Sequence, residues 1–248
     1  MSITTITLDR PELRNAFDAA LAARLADDVQ RAADDTSCRV IVLTGAGRSF
    51  CAGADLRQLK AILAARDQEQ GRALVSSGNR LVHAIVAAPK PVIAAVNGAA
   101  AGGGASIALA CDVRIASSDA SIGAVFGRIG LHPDLGATYF LPHLAGFGRA
   151  MELVLSAEMI SATEAHRIGI FNRVVSGDAL MTETYELART LAARPALALA
   201  RAKRSMHATI GMPLDAVMAL ELDEQLALMQ TDEARDALRA FLKRSSAN

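Results

Sequence analysis

Hydrophobic and polar positions along this chain follow two periods, and each switch between them marks a change of element. Residues 3–8 alternate threonine with aliphatic side chains, which predicts a strand closed by the turn Asp9-Arg10-Pro11-Glu12. Asp18 precedes Leu21, Leu25 and Val29 at helical spacing, so a helix capped by Asp18 is expected there. Residues 39–44 form an unbroken apolar run of the kind buried on both faces of a parallel sheet. Gly45-Ala46-Gly47 ends it, and helices follow over 55–65 and 68–88 until Pro89 and Pro91 stop the second. A strand over 91–96, a glycine turn, a helix over 104–111 and short strands over 113–116 and 121–125 come next. From Gly136 the pattern is mostly helical: 137–144, 149–156 and 161–168, a short strand over 173–175, then 178–193, 195–207, 213–229 and 231–243. Pro195 and Pro213 stand at first-turn positions of their helices. This order predicts an α/β core over residues 1–194 and a helical C-terminal region over 195–248.

Composition narrows the partners. The 248 residues are 52% hydrophobic, enough for one large core, and the 26 basic and 26 acidic residues leave no basic field for nucleic acid or an anionic membrane. An anionic ligand must therefore be met by local cations. Cys38, Cys51 and Cys111 form no CxxC or Cys/His cluster, and the first residues lack the charged and apolar regions of a signal peptide, so a cytoplasmic location is expected. The longest apolar stretches are broken by Asn97, by glycines or by Asp112, short of the ~20 residues of a membrane span.

Gly102-Gly103-Gly104, between an apolar strand and an apolar helix, is the strongest chemical signal. Glycine is a poor helix and strand former, and here it would expose unpaired N–H groups at a positive helix N-terminus, a backbone site for an anion or oxyanion. Other chemistries fit less well. Counted from Gly45, the third glycine of a dinucleotide fingerprint falls on Phe50, and counted from Gly102 it falls on Ile107. Gly104-Ala105-Ser106-Ile107-Ala108 lacks the last glycine of a nucleophile elbow, which leaves Ser106 as a small helix residue near a ligand or as a serine nucleophile. No HExxH, metal-spaced histidine pair or phosphate-binding P-loop is present, and no metal is expected.

Three stretches in order, Leu8–Phe17 through Asp9-Arg10-Pro11-Glu12, residues 42–56 including Ala52-Gly53-Ala54-Asp55, and residues 91–116, resemble the enoyl-CoA hydratase/isomerase (crotonase) superfamily. The likeness continues through Ala150-Met151-Glu152-Leu153 and Ser161-Ala162-Thr163-Glu164-Ala165 to Val174-Val175. The resemblance implies a spiral of ββα units with C-terminal helices, assembled as homotrimers or hexamers. It implies an acyl-CoA thioester as substrate and no cofactor beyond the coenzyme A that the substrate carries. The thioester oxygen would be held by the N–H groups of Ala54 and Gly103, each contributing roughly 3–4 kcal/mol to an enolate-like state.

The chain departs from the hydratase pattern at both catalytic glutamates: Ser106 occupies one position and Phe126 the other. Asp134 is the surviving carboxylate, at a position where relatives of the isomerase type keep a general base. It is read either as that base or as a cap for the helix near Ala137. An apolar wall including Phe126 and Phe140 is expected to raise its pKa. A double-bond shift or ring rearrangement is therefore favoured, with hydration or non-catalytic acyl-CoA binding as the alternatives. His132 either orients Asp134 or is solvated, and Arg128 faces either substrate or core. By resemblance Arg14, Ala52, Asp55 and Arg57 bind the coenzyme A substrate. The segment from Phe241 to Arg244, with Lys243, would close over its adenosine end.

Overall fold

A computed structural model describes residues 2–245 of the chain. It opens with β1 (Ser2–Leu8), a turn of 3-10 helix over Pro11–Leu13, and α1 (Ala19–Asp34), whose first turn is closed by the Asp18 carboxylate accepting the Leu21 N–H at 2.8 Å. β2 (Cys38–Gly45), β3 (Ser49–Cys51), α2 (Leu56–Ala65) and α3 (Gln68–Ala87) follow. The same strand, strand, helix unit returns as β4 (Val92–Val96), β5 (Ala99–Ala101) and α4 (Gly103–Ala110). It begins again with β6 (Val113–Ser117) and β7 (Ser121–Gly123), which run into a 3-10 turn over Val125–Ile129. Then come α5 (Ala137–Ala145), α6 (Phe147–Ser156), β8 (Ile160–Ser161), α7 (Ala162–Arg167), β9 (Arg173–Val175) and α8 (Leu180–Ala192). The chain ends in α9 (Ala196–Ala208), α10 (Leu214–Met229) and α11 (Asp232–Ser245).

The long strand of each unit joins one parallel sheet, β1-β2-β4-β6-β9, and the short strand joins a second, β3-β5-β7-β8. Period-two alternation sorts the long strands between two cores. Ile41, Leu43, Val92, Ala94 and Val96 pack under α1, α3 and α4, while Val40, Val42, Ile93, Ala95 and Ile115 pack against Leu180, Ala188 and Ala192 of α8. Burial on both faces explains why residues 39–44 carry no polar alternation. Each fully buried aliphatic side chain contributes about 1.5–3 kcal/mol relative to exposure.

The corners between the sheets are fastened by two asparagines. Asn15, fully buried, donates to the Ala46 and Ser49 carbonyls at 2.9 and 2.7 Å, and Asn97 accepts the Gly45 N–H while donating to the Gly47 and Ser49 carbonyls. The short strands β3, β5 and β8 are absent from the hydrophobic pattern because two or three residues cannot display a period. Val125 belongs to the 3-10 turn rather than to a strand, and α4 begins at Gly103.

Candidate active site

The three glycines after β5 answer to three different demands. Gly102 caps α4 with φ +53° and ψ −124°, backbone that an L side chain rarely adopts. A Cβ on Gly103 would stand 2.8 Å from Phe17 Cζ, and one on Gly104 would stand 2.2 Å from the Cys51 carbonyl oxygen. The first turn of α4 is thus pressed onto β3 and Phe17. Gly103, its first residue, has no carbonyl four residues back within the helix, so its N–H is free at the positive end of the helix dipole.

Ala54 is presented by a single parallel bridge to Phe17. The Phe17 N–H donates to the Gly53 carbonyl and the Asp55 N–H donates to the Phe17 carbonyl, both at 2.8 Å. In such a bridge the middle residue directs its own N–H and C=O away from the partner, which leaves the Ala54 N–H unclaimed. Among the described residues neither the Ala54 nor the Gly103 N–H enters a hydrogen bond. The two backbones adjoin, for a Cβ on Gly53 would lie 3.4 Å from the Gly103 nitrogen.

Both residues line a cavity of about 550 Å³. Its walls are apolar side chains of α2 and α3, such as Leu59, Ile62 and Leu74, and of the segment after β7, including Val125, Phe126 and Leu135. Arg128, His132 and Asp134 are the ionisable groups on that wall among the described residues, and Asp134 is its one carboxylate. Asp134 Oδ1 is buried and has no hydrogen-bond partner among the described residues. Burial pushes this carboxyl from its ordinary 3.8 up to about 6, against the opposing pull of its own N–H and of His132.

Asp134 does not cap α5 with its side chain. The N-cap of α5 is Gly136, and it is the Asp134 carbonyl that accepts the Ala137 N–H, at 3.0 Å. Phe126 stands in the cavity wall as expected, but Phe140 does not. It turns back under Gly136, where a Cβ would meet its ring at 2.6 Å, and stacks edge-on with Tyr139 outside the cavity. Ser106 is fully buried within α4 and donates to backbone carbonyls, so it is not exposed as a nucleophile. His132 is exposed at the cavity, and Arg128 borders it while its Nε donates to the Ala157 carbonyl at 2.7 Å.

A family model for enoyl-CoA hydratase/isomerase matches residues 1–248. The chain belongs to the enoyl-CoA hydratase/isomerase family. It is 38% identical over 244 residues to a 1,2-epoxyphenylacetyl-CoA isomerase of Escherichia coli, with 98% of this chain and 93% of the relative covered. It is 42% identical over 242 residues to a probable enoyl-CoA hydratase of Rhodobacter capsulatus, with 98% and 92% covered. The crystal structure of an enoyl-CoA hydratase from Bacillus anthracis superposes with a TM-score of 0.92 at 34% identity, covering 98% of this chain and 93% of that one. The two-sheet spiral is the crotonase fold, and the protein is an enzyme of this family.

The enoyl-CoA hydratase/isomerase framework has charged residues at the rim of the cavity as well as within it. Arg14, exposed in a left-handed turn, accepts the Ala52 N–H on its carbonyl at 2.9 Å and so stands beside a cavity residue. The Asp55 side chain makes contacts within the fold. It caps α2 by accepting the Arg57 N–H at 2.9 Å, and it pairs with Arg10 and Arg57 at 3.3 and 3.4 Å. An aspartate immediately before an apolar helical run is the sequence signal for such a cap. Arg57 is exposed next to Leu56, which borders the cavity. Lys243 lies exposed on α11, which packs on α10, and is not among the residues lining the cavity. The side chain of Arg244 lies outside the described residues. No helix among the described residues is long and apolar enough to cross a membrane.

Proposed function

We propose that this enzyme shifts a double bond, or rearranges an activated ring, in an acyl-CoA thioester through an enolate, with Asp134 carrying the proton. The observation that bears most weight is that, among the described residues, Asp134 is the one carboxylate of the cavity and its buried Oδ1 has no hydrogen-bond partner. As a base it takes the proton alpha to the thioester carbonyl, and the electron pair moves onto the carbonyl oxygen. That oxygen is held by the Ala54 and Gly103 N–H groups, whose orientation costs no reorganisation at the moment of reaction. For the double-bond shift the protonated Asp134 then returns the proton at the gamma carbon, so atoms and charge balance with one residue and no cofactor. The apolar wall around Phe126 disfavours the ionised carboxylate and limits water, which favours proton return over addition of hydroxide.

Arg14 and Arg57 are read as contacts for the phosphates of coenzyme A at the rim, with Lys243 reaching the adenosine end from an assembled neighbour. Exposed Leu214, Met218, Leu222, Leu226 and Met229, about one turn apart along α10, support assembly with further copies of the chain. Hydration with water positioned by Asp134 is the second reading, favoured by the name of the Rhodobacter capsulatus relative.

A panel of 2-enoyl, 3-enoyl and ring-bearing acyl-CoA thioesters turned over in deuterated water separates the two. The expected result is a shifted double bond and no hydroxyacyl product, with deuterium entering the alpha and gamma carbons only where the protonated Asp134 exchanges with solvent before returning its proton. Hydroxyacyl-CoA as the main product would replace the isomerase reading with the hydratase one. The pH dependence follows from the same residue. Because the base must be ionised, kcat/KM should fall as pH drops through about 6, the value to which burial raises Asp134. An acid limb near 4 would mean that another group, or a solvated Asp134, carries the proton.

A further inference from the structure

We infer that Ser106 is a positioning residue for this proton transfer: its hydroxyl clamps the Asp134 peptide to the helix that supplies the Gly103 N–H. The inference rests on the reading of Asp134 as the base. Ser106 is fully buried and is not in the cavity wall, so it touches no substrate. A serine inside a helix usually bonds the carbonyl one turn back. Here the Gly102 carbonyl is 3.3 Å away, and the closer acceptor, at 3.0 Å, is the Asp134 carbonyl 28 residues along the chain.

The loop at Asp134 requires such an anchor. Immediately after its carbonyl the backbone passes through two left-handed residues, Leu135 at φ +52° and Gly136 at φ +81°. For leucine this conformation is strained and persists only where the surroundings over-determine it. Two contacts supply that constraint. The Leu135 side chain is buried against Gly78 of α3, where a Cβ would come within 2.8 Å of its Cδ2, and the Asp134 carbonyl is held jointly by the Ser106 hydroxyl and the Ala137 N–H. Since Asp134 Oδ1 has no hydrogen-bond partner among the described residues, the aim of the carboxylate is set through its backbone rather than by a bond to that oxygen. Ser106 thus couples the base to the helix of the oxyanion site, two turns of backbone that must keep a fixed separation during transfer.

The test is Ser106→Ala beside Asp134→Asn and the double variant. Ser106→Ala is expected to lower kcat about 10- to 100-fold, as for a misplaced reacting group, with KM within about twofold of wild type. Its acid limb should move toward the ordinary carboxylate range, because a loosened loop lets water reach Oδ1. In the double variant the Ser106→Ala change should add no loss to that of Asp134→Asn. Wild-type kcat and an unmoved acid limb in Ser106→Ala, with Asp134→Asn inactive, would overturn the inference alone. Full turnover in Asp134→Asn would overturn the reading beneath it. Should Ser106→Ala fail to fold, Ser106→Cys, which is slightly larger and a weaker donor, carries the same comparison.

Discussion

Asp134→Asn is expected to lower turnover about 10³-fold, within the range for loss of a general base, while leaving acyl-CoA affinity nearly unchanged. The substitution keeps shape and removes the only carboxylate of the cavity wall among the described residues, so alpha-proton exchange into deuterated water should disappear together with product. Calorimetric titration with a non-reactive thioester analogue separates the two effects; undiminished exchange would remove Asp134 from the mechanism. The same variant carries a stability signature with a defined sign. Asp134 binds its proton more tightly in the fold, near pH 6, than at its ordinary 3.8, so native stability falls as pH rises between those values. Asparagine does not ionise. The variant should therefore gain on wild type across that window, and the difference should be complete above pH 6 and vanish below about 4. Allowing for partial hydration of the carboxyl, the gain is about 1 kcal/mol, or about 2–4 °C in Tm for a chain of this size. Loss of activity with gain of stability is the pattern of a residue kept for chemistry, and a structural cap would lose both.

What the sequence made legible, and what it hid, divides along the range of the interactions. Buried parallel strands announce themselves as unbroken apolar runs, so β2 and β4 are readable, and the helices are readable from their 3.6-residue period. Gly102, Gly103 and Gly104 stand out because bare backbone leaves a local mark. Most of the second sheet does not: residues 121–125 read as a strand, but β3, β5 and β8, of two or three residues each, are fixed by close approach between distant segments, such as Gly98, where a Cβ would fall 2.0 Å from the Arg48 carbonyl. Nothing in Leu135 signals a left-handed conformation, and nothing in Ser106 signals a bond to residue 134. Both are consequences of packing α4 against a loop 28 positions away. Proximity in sequence puts Phe140 in the wall of the site. One helical turn beyond Gly136, it faces the other way. Asp55 carries a signal of the local kind: an aspartate just before an apolar helical run, whose side chain caps α2.

Gly53→Ala should cost about 10²- to 10³-fold in kcat, the scale for loss of an oxyanion donor, although it removes no functional group. The Ala54 N–H belongs to the peptide that joins Gly53 to Ala54, so its direction is set by the Gly53 backbone. That residue sits at φ +94°, where alanine is strained, and an added Cβ would lie 2.9 Å from the Ala101 carbonyl oxygen and 3.4 Å from the Gly103 nitrogen. Backbone cannot yield as a flexible side chain does, so residues 52–54 must move off β5 and the start of α4. The two N–H donors then separate, and the enolate oxygen is offered one good hydrogen bond instead of two. Gly71→Ala is the matched control. It also borders the cavity, but its Cβ would make an ordinary 3.6 Å contact with Ile62 Cγ2 inside a helix, where alanine is preferred. Turnover close to wild type in Gly71→Ala with a collapsed kcat in Gly53→Ala would tie the loss to donor geometry rather than to crowding. Affinity for an enolate-like thioester should fall in parallel with kcat, while affinity for free coenzyme A should not. Equal and undiminished kcat in both variants would mean that the Ala54 and Gly103 N–H groups do not hold the reacting oxygen.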